Sequence, residues 1–217
     1  MNPRPRRLKL LRWLPRSLLI THGPAADGSV YLTFDDGPHP EFTGPLLDLL
    51  AAHDAKATFF LVGDQIERSR ALVERMVAEG HQIGNHSFSH PRFGRLTMAE
   101  RMAEIDRVER LLTGFDGRET HLFRPPRGEL QLMSLLHFLR HGRKVAIWSY
   151  DSLDYLQPSP EELVRLMRDD SPRAGDIVLM HDDSGLPSEV LRQLLPEWRA
   201  AGLKFPALPS GTPVRKR

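Results

Sequence analysis

The sequence predicts an α/β fold: a distorted β/α barrel of about seven strand–helix units. Short apolar, β-prone runs alternate with segments of helical periodicity, which implies a parallel sheet wrapped by helices. No glycine-rich phosphate loop follows the first strand, so a dinucleotide-binding sheet is disfavoured. Polar clusters stand immediately after the apolar runs: Asp35-Asp36, Asn85-His86, Arg124, Asp151 and His181-Asp182. In a β/α barrel such positions converge on one mouth, at the carboxyl ends of the strands. Residues scattered over about 150 positions would thereby share one pocket.

Taken in order, the strands are expected at 30–34, 57–62, 82–84, 121–123, 145–148 and 177–180, with a weak last one near 204–208. Between them, helices are expected at 43–53, 64–79, 97–112, 130–141, 160–168 and 188–201. Leu46, Leu47, Leu49 and Leu50 suit a helix buried on one side. Glu100 and Glu104, with Arg101, Arg107 and Arg110, suit a solvated helical face laced with ion pairs. Gly80 and Gly202 stand where helix stops belong, each just before a strand.

A length of 217 residues suits one domain with a full core. A 40% hydrophobic, 27% charged composition is that of an ordinary soluble protein. The net charge of +2 points to no nucleic-acid partner, since the basic excess sits at the two ends. With no cysteine there are no disulfides and no thiolate metal sites. No run is long enough to span a bilayer. The basic front end is followed by an apolar stretch broken by Arg12, Pro15 and Arg16, too short for a signal-peptide core, so the expected location is cytoplasmic. Leu10, Leu11, Leu14 and Leu18 would share a helical face opposite Lys9, Arg12 and Arg16. That pattern allows peripheral contact with an anionic membrane on its inner face. Pro15 argues against a continuous helix there, and an arm packed beneath the domain is the plainer alternative. The expected organisation is a basic arm at 1–27, a catalytic domain at 28–209 and a basic tail at 210–217. Oligomeric state is not legible.

Two adjacent carboxylates at the end of an apolar run, Asp35 and Asp36, are electrostatically costly unless a cation sits there or the two do different jobs. His86 and His90 follow about fifty residues on. One Asp and two His make a three-ligand site with a coordination position open to water. Singly, each signal is weak. An Asp-Asp-Gly-Pro is usually a surface turn, a pair of histidines four apart is often a coincidence, and Arg124-Pro125-Pro126-Arg127 could be a polyproline-like linker.

Together and in order, these segments resemble the five motifs of the polysaccharide deacetylase family, the NodB-homology or carbohydrate esterase type 4 enzymes. The residues are Thr33-Phe34-Asp35-Asp36-Gly37-Pro38, His86-Ser87-Phe88-Ser89-His90, Arg124-Pro125-Pro126-Arg127-Gly128, Asp151-Ser152-Leu153-Asp154-Tyr155 and Leu179-Met180-His181-Asp182. The resemblance runs from Val30 to about Leu208. It implies the NodB type of barrel and a metal-dependent hydrolase that removes N-acetyl groups from amino sugars of a polysaccharide, oligosaccharide or glycolipid. Asp36, His86 and His90 would bind a divalent metal, zinc by default, with cobalt, nickel or manganese as alternatives. Asp35 would be the general base, held by Arg124. His181 would be the general acid, oriented by Asp151. The backbone N–H of Arg127 would hold the oxyanion, and Tyr155 and Leu179 would face the substrate. Arg127 stands where the family usually has an aromatic, and Tyr155 where it has Trp. Two alternatives remain: a glycan-binding module that has lost turnover, and an amidohydrolase for a small C–N substrate.

Overall fold

The computed structural model describes residues 3–4, 19–130 and 132–209. The Leu-rich basic face around Leu10, Leu11, Leu14 and Leu18, and the tail at 210–217, lie outside the described residues. The strands are β1 (Leu19–Ile20), β2 (Tyr31–Asp35), β3 (Thr58–Leu61), β4 (Gln82–Asn85), β5 (Val145–Ala146), β6 (Tyr150–Asp151) and β7 (Ile177–His181). The helices are α1 (Thr43–Ala52), α2 (Gly63–Arg68), α3 (Arg70–Ala78), α4 (Met98–Asp116), α5 (Leu132–Arg140), α6 (Pro160–Asp169) and α7 (Leu186–Ala200). No helix among the described residues is long and apolar enough to cross a membrane.

Five strands form a parallel sheet in the order β4-β3-β2-β7-β6. Bonds outside the regular strands close it into a ring. Arg124 N donates to Asn85 O, Ala146 N to Phe123 O and Ser149 N to Ile177 O. The run expected as a strand at 121–123 is therefore a stave of the barrel, bridged at Phe123 to β4 on one side and β5 on the other. β1 pairs in parallel with β5, Leu19 opposite Val145. This strand lies within residues 1–27, the segment expected as the arm. Pro3 O also accepts from Asp151 N, and Arg4 reaches Asp170 at 3.1 Å and Asp176 at 2.9 Å.

Every residue of β2 is buried, as a strand with helices on one face and a filled barrel on the other requires. The period of two then sorts its side chains. Leu32 and Phe34 join Phe59, Leu61 and the leucines of α1 in the main core between strands and helices. Tyr31 turns inward with Phe60, Leu122, Ala146 and Ile177. Thr33 and Asp35 share that inward face with Tyr31.

Two helical expectations need correction. The single helix expected at 64–79 is broken at Ser69, whose φ of −131° and ψ of 41° are not helical. α4 is longer than expected, from a Thr97–Glu100 capping box to Gly117 at φ 72°. Its face is also less solvated: Arg101 is buried and donates to Phe93 O at 2.8 Å and Ser134 Oγ at 2.6 Å. Gly80 and Gly202 do sit at the helix stops, with φ of 81° and 86°.

Candidate active site

The site begins where β2 ends. Asp35 closes the strand and Asp36 turns the chain at φ 73°. Gly37 is needed here for space, because a Cβ on it would lie 2.1 Å from Asp182 Oδ1. Asp182 braces this turn. Its N–H donates to Asp35 O at 3.2 Å, and its Oδ2 accepts from Thr43 Oγ1 at 2.6 Å. Thr43 Oγ1 in turn accepts from His39 N at 2.8 Å. Burial pushes the Asp182 carboxyl up to about 7. Sequence reasoning gave Asp182 no role of its own, although it directly follows His181.

Asp36, His86 and His90 bring one ligand atom each to within 4.8 Å of one another. His86 Nδ1 lies 2.8 Å from Arg124 O, a group that can only accept, so Nδ1 carries the proton and Nε2 keeps its lone pair. That Nε2 is 3.5 Å from Asp36 Oδ1, and His90 Nε2 is 3.3 Å from the same oxygen. Asp36 Oδ1 is buried and has no hydrogen-bond partner. Burial lowers His86 to about 3, with His90 adding to the effect and Asp36 opposing it, so the ring stays neutral. A neutral imidazole and an unpaired buried carboxylate oxygen are what a divalent metal requires. Tetrahedral zinc with bonds of about 2.0–2.1 Å holds its ligand atoms roughly 3.3–3.4 Å apart, so the donor set fits such an ion.

Asp35 borders this cluster, its Oδ2 3.7 Å from His86 Nε2, while its Oδ1 turns into the barrel. Arg124, fully buried, donates from Nη1 to Asp35 Oδ1 at 2.6 Å and to Thr33 Oγ1 at 2.8 Å. Its guanidinium lies 3.9 Å over the Phe60 ring. Burial raises the Asp35 carboxyl above the ordinary range, and the Arg124 charge opposes that rise. The outcome is an ion-paired carboxylate of increased basicity.

The structure corrects the partner expected for His181. His181 Nδ1 lies 2.8 Å from Asp154 Oδ1, and its backbone N–H donates to Asp154 Oδ2 at 2.7 Å. Asp151 instead accepts from Leu153 N at 3.0 Å. The cause is the turn after β6: Leu153 is left-handed at φ 66°, and the single helical turn Asp154–Leu156 swings Asp154 onto the end of β7. Burial alone would lower His181, but the Asp154 hydrogen bond and charge, aided by Asp35 and Asp36, push it up to about 9.

These groups line one cavity of about 510 Å³. Asp35, Asp36, His86, His90, Asp151, His181, Arg127, Tyr155 and Leu179 all reach it, while Arg124 lies beneath. Arg127 is exposed at the mouth, left-handed at φ 57°. The Tyr155 ring meets His181 edge-on at 5.7 Å. Gly128, Trp148 and Asp183 complete the wall. Trp148 ends an apolar run, and that position could have flagged it; Asp183 stood beside His181-Asp182.

Comparison with known proteins gives a consistent answer. The family model for polysaccharide deacetylase matches residues 22–146. A peptidoglycan-N-acetylglucosamine deacetylase of Bacillus cereus is 34% identical over 202 residues, covering 91% of this chain and 73% of the relative. A chitooligosaccharide deacetylase of Sinorhizobium fredii is 36% identical over 189 residues, covering 86% and 83%. The crystal structure of a peptidoglycan N-acetylglucosamine deacetylase in complex with an N-oxidanyl-benzamide superposes with a TM-score of 0.86 at 31% identity, covering 95% of this chain and 99% of that one.

Proposed function

The chain belongs to the polysaccharide deacetylase family, and from that premise we propose a zinc-dependent hydrolase that removes the N-acetyl group from N-acetylglucosamine-type sugars of a glycan. The observation that carries this reading is the meeting, in one cavity, of the Asp36–His86–His90 donor set with two separately held titrating groups, Asp35 on Arg124 and His181 on Asp154. Zinc is the natural occupant of a nitrogen-rich set without thiolates. Bound there, the ion would acidify water and polarise an amide carbonyl.

The chain's own residues supply the proton transfers. Asp35 accepts the proton of the attacking water, and burial raises its basicity for that task. The Arg127 backbone N–H donates to the oxyanion that forms on the acetamide carbon. His181, protonated at neutral pH, delivers its proton to the departing nitrogen as the C–N bond breaks. Asp154 holds that ring in place and favours its imidazolium form. The products are acetate and a free amine on the sugar.

The test is acetate release from chitooligosaccharides and peptidoglycan fragments by purified protein, with zinc, with chelator, and with Asp35→Asn as control. Release that requires both the metal and Asp35 supports the reading. A zinc-loaded protein that releases no acetate from any N-acetylhexosamine glycan overturns it. We further propose that the step takes place on the cytoplasmic side, in making a glycan; recovery of the native chain outside the cell membrane on fractionation would refute that placement.

A further inference from the structure

Helix α4 carries one carboxylate, Glu104, that meets the loop between His86 and His90, and a second, Glu109, that meets Asn85 just before it. Glu104 Oε2 accepts from Phe88 N at 2.9 Å and from Ser89 N at 2.8 Å, and its Oε1 accepts from Ser89 Oγ at 3.1 Å. The third N–H of the loop, that of Ser87, donates to Asn85 Oδ1 at 3.0 Å. Asn85 is tied to the same helix, through Ile105 O at 2.9 Å and Glu109 Oε2 at 3.2 Å. Three consecutive backbone donors are thus taken by side chains that belong to α4 or are anchored on it. Arg107, from the same helix, lies 3.1 Å over the Phe88 ring.

The loop needs such a clamp. Ser87 has φ 69° and His90 has φ 51°, left-handed conformations that non-glycine residues seldom adopt unaided. Both occur in the five residues that must aim two imidazoles at one point. No hydrogen bond within the segment holds Phe88 N and Ser89 N; a carboxylate does, and charge makes such bonds strong.

We propose that Glu104 is a positioning residue for the metal site, fixing the 86–90 loop so that His86 and His90 are preorganised for one ion, with Asn85 and Glu109 as a second anchor. The inference rests on the reading of Asp36, His86 and His90 as metal ligands. Support of ligands from outside the coordination set is typically worth 10–100-fold in affinity.

The experiment is a zinc titration of the full chain, first stripped with chelator, in competition with a chromophoric chelator, alongside thermal unfolding of the metal-free protein. Glu104→Ala should weaken zinc binding about tenfold or more. Glu100→Ala, which breaks the capping box one turn earlier on the same helix, should lower the melting temperature and leave zinc affinity unchanged. Glu104→Gln, which keeps one accepting oxygen, should fall between wild type and Glu104→Ala. Wild-type affinity in Glu104→Ala overturns the proposal, whatever its melting temperature. If that variant does not fold, unchanged affinity in Glu104→Gln overturns it instead. A wild-type chain that takes up no zinc overturns the site itself, an outcome seen before any variant is made.

Discussion

Replacing Asp154 with Asn should move the alkaline limit of activity. The hydrogen bond and charge of Asp154 are the largest influences holding the His181 proton, and burial works against them. His181 sits at about 9 against an ordinary 6.5, and its side chain is only 16% exposed, so solvent screening is small. Without the carboxylate, burial keeps its full weight, opposed by Asp35 and Asp36 and more weakly by the charges of Asp151 and Asp183. The alkaline limb of kcat/KM for acetate release should then fall from near pH 9 to near or below pH 6.5. A difference of about 2.5 in pKa corresponds to roughly 3 kcal/mol of preference for the charged ring. The same coupling stabilises the fold, and its sign follows from linkage. A histidine raised in the folded state contributes fully below pH 6.5 and loses that contribution as pH rises through 9. The stability deficit of Asp154→Asn in urea should therefore be largest near pH 6, on the order of 3 kcal/mol at most, and should shrink toward pH 9. Asp151→Asn is the comparison variant, since Asp151 accepts from Leu153 N and acts on His181 through its charge alone, without the hydrogen bond that Asp154 makes. An alkaline limb that stays in place in Asp154→Asn, or that moves in Asp151→Asn instead, would refute the assignment.

Three further outcomes follow from the same geometry. Asp35→Asn should reduce acetate release by about 10²–10⁴-fold, the usual worth of a general base, while zinc uptake measured by competition stays at the wild-type level. Arg124→Met should destabilise the fold by about 3–5 kcal/mol, because it leaves the Asp35 carboxylate buried and unpaired; urea unfolding at neutral pH reads this, and a loss under 1 kcal/mol would contradict it. Gly37→Ala should cost about 1–3 kcal/mol through overlap with the Asp182 carboxyl, and an unchanged melting temperature would show that the brace yields.

Much of the site was legible because its chemistry sits at strand ends, and strand ends are marked by abrupt changes from apolar to polar residues. The ring of strands made those marks converge, and Asp35, His86 and His181 reach one cavity for that reason. What was illegible depends on turn geometry or on long-range contact. Asp151 and Asp154 are three residues apart with the same side chain, and only the left-handed Leu153 decides which one meets His181. Glu104 reads as one more charge on a solvated helix, because nothing local records that the 86–90 loop folds onto it. The break at Ser69 has no proline or glycine to announce it. Phe123 reads as part of a strand, yet its neighbours come from both sides of the sequence, and only ring closure gives it partners.

The division of labour proposed between Asp35 and Asp36 fits the geometry of the barrel. Successive side chains of a strand leave on opposite faces. Thr33 and Asp35, two apart, therefore both point inward, and the same Arg124 nitrogen reaches both of them. A fully buried guanidinium needs a carboxylate beside it, so Asp35 is committed to the interior before any metal is considered. Asp36, one residue on, leaves the strand in a left-handed turn and presents its oxygen to His86 and His90. Its side chain is 29% exposed against 4% for Asp35. Exchanging the two roles would require the last residue of β2 to face the helices, a register shift against β3 and β7 that would also turn Thr33 away from Arg124. The proposed division, one carboxylate as base and its neighbour as ligand, thus fits the strand geometry, with Asp35 paired to Arg124 and Asp36 turned to the histidines.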